Sequence, residues 1–427
     1  MGTFGGIRSR TGHEAGRIAR MLLTGAGAAA LALVPATAHA DPISSSGPLS
    51  EINISRQLNC SVRHALDTEP EWYAGTACGT FVALNGTLFG PASVPAGGSA
   101  APRTAYSEVS QTGPTGAGTA ADPFKVVTVV NAGAGVTLTQ TDTYVVGQER
   151  YDTEVTVQNA SGTSQAGNIY TGGDCYLQNS DEGYGRVVGQ SVLCSSTVEP
   201  GGRVEGLLPR SAGSSYFEGV YDDVWARIGS QQPLPNTCDC STFIDNGIAL
   251  SWPVSVADGA STTYRWTTVF SPSGTIPLVI TDPATGSTLT DNTPTFSGTA
   301  APGSTVTLTD GGTVICTAVA DDNGAWECTP VAPLKNGEHV VTPTATDGQG
   351  NTTTGDPVTI TIDYTATAVA ACPPDSVLTG GGLELTGPAP DDLSSKPVGD
   401  TWVVSLKNNS GKPVTATPFA VCALTSP

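Results

Sequence analysis

Charge is scarce in this chain, and basic charge scarcest. Only 13% of its 427 residues are Asp, Glu, Lys or Arg, and 18 basic residues against 38 acidic ones leave a formal net charge of −20. No basic patch exists to release counterions from phosphates, which excludes nucleic acid as a partner. Adhesion to an anionic membrane or wall polymer through bulk charge is excluded in the same way. Acidity by itself names no ligand, and solubility explains it. Histidine is rarer still, with four in all; beyond residue 40 only His64 and His339 remain. Catalysis of the Ser-His-Asp or Cys-His kind needs a histidine beside its nucleophile. His64 follows Cys60-Ser-Val-Arg and reads as structural, next to a cysteine expected to be bonded. Walker loops and the dinucleotide G-x-G-x-x-G are absent, and Gly-rich stretches such as Gly113 to Gly118 read as flexible loops. No cofactor is expected.

The one markedly apolar run, Met21 to Val34 (MLLTGAGAAALALV), is too short to span a bilayer comfortably. Arg8, Arg10, Arg17 and Arg20 precede it, Pro35 breaks it, and Ala38-His39-Ala40 follows as an A-x-A site. That order reads as a signal peptide over residues 1–40, with a mature chain starting at Asp41; the alternative is an N-terminal anchor. No later segment is apolar enough to cross a membrane. Leu234-Pro235-Asn236-Thr237 begins like a cell-wall sorting signal, but it lies mid-chain before Cys238 and reads as coincidence. The expected location is therefore extracellular, free or held non-covalently at the cell surface.

Ten cysteines, all past residue 40, are what an exported chain uses for disulfides. Their spacing suggests Cys60–Cys78, Cys175–Cys194, Cys316–Cys328 and Cys372–Cys422. Cys238 and Cys240 are left: they either bond to each other in a tight ring or each reach Cys60 or Cys78. Zinc would need C-x-x-C pairs or neighbouring histidines, so no metal is expected.

With 52 glycines, 31 prolines and abundant Thr and Val, the chain is built for strands and turns. In the run beginning Tyr151-Asp-Thr-Glu-Val-Thr-Val, Tyr151, Thr153, Val155 and Val157 share one face, and Asp152, Glu154, Thr156 and Gln158 the other. Lys125–Val130, Val136–Val146 and Thr262–Phe270 alternate similarly, and no stretch shows sustained helical periodicity. The expected class is all-β. Residues 41–273 would form a large antiparallel β-sandwich, 275–364 a second β-sandwich, 365–371 a linker, and 372–427 a small disulfide-closed β module.

The middle segment carries Pro294-Thr-Phe-Ser-Gly-Thr-Ala, Pro302-Gly-Ser-Thr-Val-Thr-Leu, Asp322-Asn-Gly-Ala-Trp, Leu334-Lys-Asn-Gly-Glu-His and Ala345-Thr-Asp-Gly-Gln-Gly-Asn, in that order. It resembles a bacterial immunoglobulin-like domain of the kind repeated in surface and adhesion proteins. Asn323-Gly324 is also a strong hairpin signal, with Cys316 and Cys328 placed nearly symmetrically about it, which suggests a cross-strand disulfide. The first region, through TACGTFVALNGTLFGP, GDCYLQNSDEGYG and VWARIGSQQPLPNTC, resembles an uncharacterised family of exported proteins of high-GC Gram-positive bacteria. More distantly, its alternating strands followed by Val157-Gln-Asn-Ala-Ser resemble the β-sandwich of mutarotase-like proteins, without a site motif. The last region, with Cys372-Pro-Pro and Thr401-Trp-Val-Val-Ser-Leu, resembles a short β module found at the ends of exported proteins of the same bacteria.

Acids and aromatics concentrate in three places, and that mixture suits sugars: rings stack on C–H faces while carboxylates and amides bond hydroxyls. The densest is Asp174 to Tyr184, with Tyr176, Gln178, Asn179, Asp181 and Glu182 between; the others are Glu69 to Tyr73, with Glu71 and Trp72, and Glu218 to Trp225, with Tyr221, Asp222 and Asp223. The candidate ligand-binding residues are Asp174, Tyr176, Asp181, Glu182, Tyr184, Trp72 and Tyr73. The plain alternative is that the rings are core or edge residues and the acids belong to turns. Two loops, Asp321 to Gly324 and Asp347 to Asn351, have the composition of calcium loops without the EF-hand spacing, and are equally ordinary turns. The expected role is non-enzymatic: extracellular binding, with glycan or a cell-surface component as the candidate partner, or a structural task. The rival is a carbohydrate-active enzyme working through paired carboxylates.

Overall fold

The computed structural model describes residues 41–424, apart from 134, 199–201, 272–275 and 410–413. The expected leader, residues 1–40, lies outside them. Among the described residues the regular structure is β-strand, save one α-helix, Tyr221–Gly229, and three single-turn 3-10 segments. No described helix is long and apolar enough to cross a membrane.

Two large sheets dominate the first region. One has eight strands, in the order Tyr184–Val188, Ser191–Ser195, Val204–Pro209, Ser261–Ser271, Arg150–Asn159, Val136–Tyr144, Phe124–Asn131 and Ser107–Thr115. The other has six, in the order Ser215–Val220, Asn246–Val256, Gln165–Asp174, Cys78–Leu84, Thr87–Gly90 and Thr104–Ala105. Alternation sets which side chains meet. Tyr151, Val155 and Val157 point inward with Val126, Val130, Leu138, Tyr264 and Trp266, against Val82, Ile169, Ile248, Leu250 and Trp252 of the six-stranded sheet. A three-stranded sheet, Ile43–Ser44, Leu49–Ile54 and Cys60–His64, closes onto the same core with Leu49, Ile52 and Val62. Burying one such aliphatic side chain contributes roughly 1.5–3 kcal/mol relative to leaving it exposed.

The helix lies against the other face of the six-stranded sheet. Its Val224, Trp225 and Ile228 are buried with Phe81, Ala83, Tyr170 and Ala249. Strands Cys78–Leu84 and the ends of Gln165–Asp174 and Asn246–Val256 are therefore buried on both faces. Asp222 and Asp223 occupy its first turn, where the helix dipole favours negative charge. The sequence did not suggest this helix: nine residues with three buried positions give too little periodicity to stand out.

Residues 279–362 form two further sheets. One pairs Val279–Asp282, Phe296–Thr299 and Ala325–Cys328; the other contains Thr305–Asp310, Thr313–Val319, Gly337–Thr346 and Val358–Ile362. Phe296, Trp326, Val306, Leu308, Val341 and Ile360 fill the space between. The expected hairpin at Asn323-Gly324 is not one. Thr313–Val319 and Ala325–Cys328 belong to different sheets, so Cys316–Cys328 forms as a bridge between sheets instead of across a hairpin. The other expected disulfides also form, and Cys238 bonds to Cys240.

Beyond residue 365 the pattern thins. Ala366–Ala371, Thr401–Lys407 and Asp392–Val398 make a three-stranded sheet, and Ser376–Thr386 pairs with Thr415–Leu424. Val404 is the one fully buried hydrophobic residue among the described residues of this stretch.

Candidate functional site

The stretch from Asp174 to Tyr184 leaves the end of the central strand Gln165–Asp174, and backbone pairing fixes where it goes. Trp72 and Cys175 form an antiparallel bridge, and the Tyr176 N–H donates to the Glu71 carbonyl at 2.8 Å. Because side chains alternate, this pairing sends Trp72 and Cys175 inward and their neighbours Tyr73 and Tyr176 outward. Asn179 then accepts from the Thr68 hydroxyl at 3.1 Å and the Glu69 N–H at 2.9 Å, tying the loop to residues 68–69. Cys175–Cys194 fastens its start to the eight-stranded sheet.

Tyr73 and Tyr176 are half-buried and meet edge-to-face, with ring centroids 6.0 Å apart. They line an open cleft of about 470 Å³ together with Arg63, Glu69 and Pro70. Tyr184 is also half-buried, against the exposed Phe243 at 5.2 Å. Glu182 is exposed on the same loop. Trp72 is different. Its side chain is 1% exposed and packs edge-on against Phe270, so it is a core residue that meets the cleft only from beneath. Its ring also explains Gly173, where a Cβ would come within 2.3 Å of the indole.

Asp174 likewise leaves the expected ligand-facing surface, being 1% exposed. It stands in a group with Asp181 and Asp245, each offering a carboxylate oxygen, and all three oxygens lie within 4.8 Å of one another. These three are the described residues best placed to hold a metal. Burial pushes the Asp174 carboxyl up to about 8, and the charges of Asp245, Asp181 and Asp222 act in the same direction. Burial, with the charges of Asp181, Glu182 and Asp222, pushes Asp245 up to about 6, and burial raises Asp181 too. Sequence reasoning missed Asp245 because it stands just before a partner strand more than sixty residues on; only the pairing of Asp174 with Gly247 brings it near. Arg63 and Phe243 were missed for the same reason.

In the segment from Glu218 to Trp225, both end residues are structural, while Asp222 and Asp223 are exposed. Trp225 is fully buried under the sheet. The Glu218 carboxylate accepts from the Asp239 N–H at 2.8 Å and the Asn246 side-chain amide at 3.1 Å, which anchors the Cys238–Cys240 loop. His64 is buried and fully engaged. Its Nδ1 accepts from the Leu66 N–H at 3.1 Å, which leaves Nε2 to donate to Glu149 at 2.7 Å. Glu71, beneath the tyrosine cleft, is buried, and burial pushes its carboxyl up to about 7.

The two acidic loops of residues 279–362 are turns that consume their own oxygens. Asp321 Oδ1 accepts from the N–H groups of Asn323 and Ala325, and Gly324 takes the positive φ the turn requires. Asp347 accepts from the N–H groups of Gln349 and Asn351 and from the Asn351 side chain, and those bonds hold its carboxyl below its ordinary range. Residues 282–364 match the family model of the bacterial Ig-like domain. This segment is an immunoglobulin-like domain. It meets the first region through an apolar cluster that joins Val188, Leu193 and Leu208 to Ile276 and Val279, and through Arg150, whose guanidinium lies 2.8 Å from Asp356. A hollow of about 700 Å³ beside Trp326 of the immunoglobulin-like domain shares no lining residue with the tyrosine cleft or the acid group. No curated protein matches the chain. Among solved structures the chain is similar to the GH36 α-galactosidase AgaB of Geobacillus stearothermophilus, at 10% identity and a TM-score of 0.31. The match covers 55% of this chain and 41% of that enzyme, so the chain spans less than half of its length.

Proposed function

We propose that this is an exported, non-enzymatic binding protein that takes an extracellular glycan in the cleft of Tyr73 and Tyr176. The observation that carries the reading is the pair of outward, half-buried tyrosines held side by side by the Trp72–Cys175 bridge, with Arg63 and Glu69 at the same cleft. Rings present faces to sugar C–H groups, and a guanidinium and a carboxylate bond hydroxyls. The anchored backbone limits the entropy lost on binding. The immunoglobulin-like domain, the disulfides and the absence of a membrane-spanning helix among the described residues fit an extracellular or surface setting. A glycoside hydrolase would hold two carboxylates about 5–9.5 Å apart across the sugar. The gathered carboxylates here lie closer than that, and the most central of them is buried.

A glycan array probed with the purified mature chain tests the proposal. Retention of a glycan class, lost in Tyr73→Ala and Tyr176→Ala, is the expected result. An empty array, or release of reducing sugar from a bound glycan, would overturn it.

A further inference from the structure

The acid group of Asp174, Asp181 and Asp245 presents a problem of charge that the tyrosine cleft does not answer. Asp174 ends the central strand; Asp245 lies immediately before its partner strand, Asn246–Val256. Asp181 is brought to them by a reciprocal backbone pair, in which the Gly183 N–H donates to the Ile244 carbonyl at 2.8 Å and the Ile244 N–H returns to Gly183 at 3.0 Å. The three carboxylates are thus positioned by backbone pairing, and their Oδ1 atoms are all buried without a hydrogen-bond partner. Asp174 is 1% exposed with its free oxygen turned into the group. A buried carboxylate without hydrogen bonds is costly, and three together repel. The charged residues acting on them are Asp222, Glu182 and one another, with no basic residue among them.

We propose that Asp174, Asp181 and Asp245 form a calcium site. The donor set consists of hard oxygens alone, since the adjacent Cys175 is committed to a disulfide, and this composition suits Ca²⁺ or Mg²⁺ over zinc or copper. Coordination habit favours the first: three carboxylate oxygens gathered within 4.8 Å of one another suit the flexible, oxygen-rich shell of Ca²⁺. Mg²⁺ demands a near-ideal octahedron, keeps several waters and is usually held by one or two carboxylates. Three side chains leave several coordination positions, which water and backbone carbonyls fill in flexible calcium sites. The ion would join the central strand, its neighbour and the loop from 177 to 184, so that the stretch carrying Tyr176 and Tyr184 is clamped at both ends. The site does not depend on the glycan reading, because none of its three ligands lines the tyrosine cleft.

The test uses the mature chain stripped with chelator and desalted. Calorimetric titration with calcium chloride should show one ion per chain, with a dissociation constant of about 10⁻⁴–10⁻³ M, the range of extracellular modules. The melting temperature should rise with calcium and much less with equal magnesium. Asp181→Asn, at the half-buried position where folding is least at risk, should weaken binding by at least the 10–100-fold typical of lost supporting contacts at metal sites. Asp245→Asn should do the same, with far-ultraviolet circular dichroism confirming that both variants fold. Absence of both heat and a melting shift in the wild-type chain would overturn the proposal. So would undiminished calcium binding in both folded variants, which would place the ion on other acids.

Discussion

The first region and the stretch beyond residue 365 are both all-β, yet they are held together by different means. Between the two large sheets lie Trp72, Trp252, Tyr144 and Phe270, each less than 3% exposed, and a layer of branched aliphatics. Past residue 365 the strands pair as regularly, but Val404 is the sole fully buried hydrophobic residue described, and Val377, Val398, Phe419 and Val421 are exposed. Strand pairing alone therefore does not make a core; it needs a second face to close against. In the last stretch, Cys372–Cys422, 50 residues apart, supplies what packing does not.

The severest challenge to that contrast is Trp72→Ala. The ring is buried and cradled by Gly173 and Phe270, so its loss should cost about 5 kcal/mol and lower the main calorimetric transition. A loss below about 1 kcal/mol would mean that the core tolerates the gap and that the contrast is overstated. Next is the double variant Cys372→Ala and Cys422→Ala. Chain entropy assigns a loop of 50 residues about 4 kcal/mol. Amides of the last stretch should then exchange freely with deuterium while those of the two large sheets stay protected. Uniform protection would show that packing holds the last stretch after all.

A smaller effect tests a polar weakness inside the stronger region. Asp142 is fully buried between the sheets, where it accepts from Gln140 at 3.0 Å and Thr153 at 2.7 Å. Burial outweighs those bonds and pushes its carboxyl up to about 6 from 3.8; Tyr151 and its neighbour Glu205 lie nearby. A carboxyl whose pKa is raised on folding favours the native state below its unfolded value. That stability is lost as the pH climbs from about 4 to about 6 and stays lost above. Asp142 accounts for roughly 2–3 kcal/mol of this fall, so denaturation of Asp142→Asn between pH 4 and pH 7 should show a correspondingly shallower decline. Equal slopes in the two proteins would remove Asp142 as the cause. Smallest in stability are Tyr73→Ala and Tyr176→Ala: on the rim, each should cost about 1 kcal/mol or less while abolishing glycan retention. A cost of several kcal/mol would return these rings to the core.

How much of this was legible depended on how local each signal was. The face of Tyr151, Val155 and Val157 was readable because period two is written in neighbouring residues, and so were four disulfides between cysteines grouped in sequence. The immunoglobulin-like domain declared itself through several motifs in order. Burial of Trp72 and Asp174 was not readable, because it depends on what crosses above them: Phe270, Gly173 and the strand carrying Gly247 come from far along the chain. Asp245 escaped for that reason, and the turn at Asn323-Gly324 misled because nothing nearby says that its two strands join different sheets.

The central strand Gln165–Asp174 has one further consequence, for how the protein is made. It is flanked by Cys78–Leu84 and by Asn246–Val256, so the middle of the six-stranded sheet cannot assemble until segments on either side, each separated from it by dozens of residues, have met. Loops of that size delay pairing, and folds dominated by distant contacts form slowly. While it waits, the strand Cys78–Leu84, apolar on both faces, stands open to pairing with other chains. Synthesis in order from the N-terminus would leave one edge of this strand unpaired until residue 174 has emerged, and the central strand itself half-paired until residue 256. Yield should therefore depend more on how that interval is chaperoned than on the stability of the finished fold.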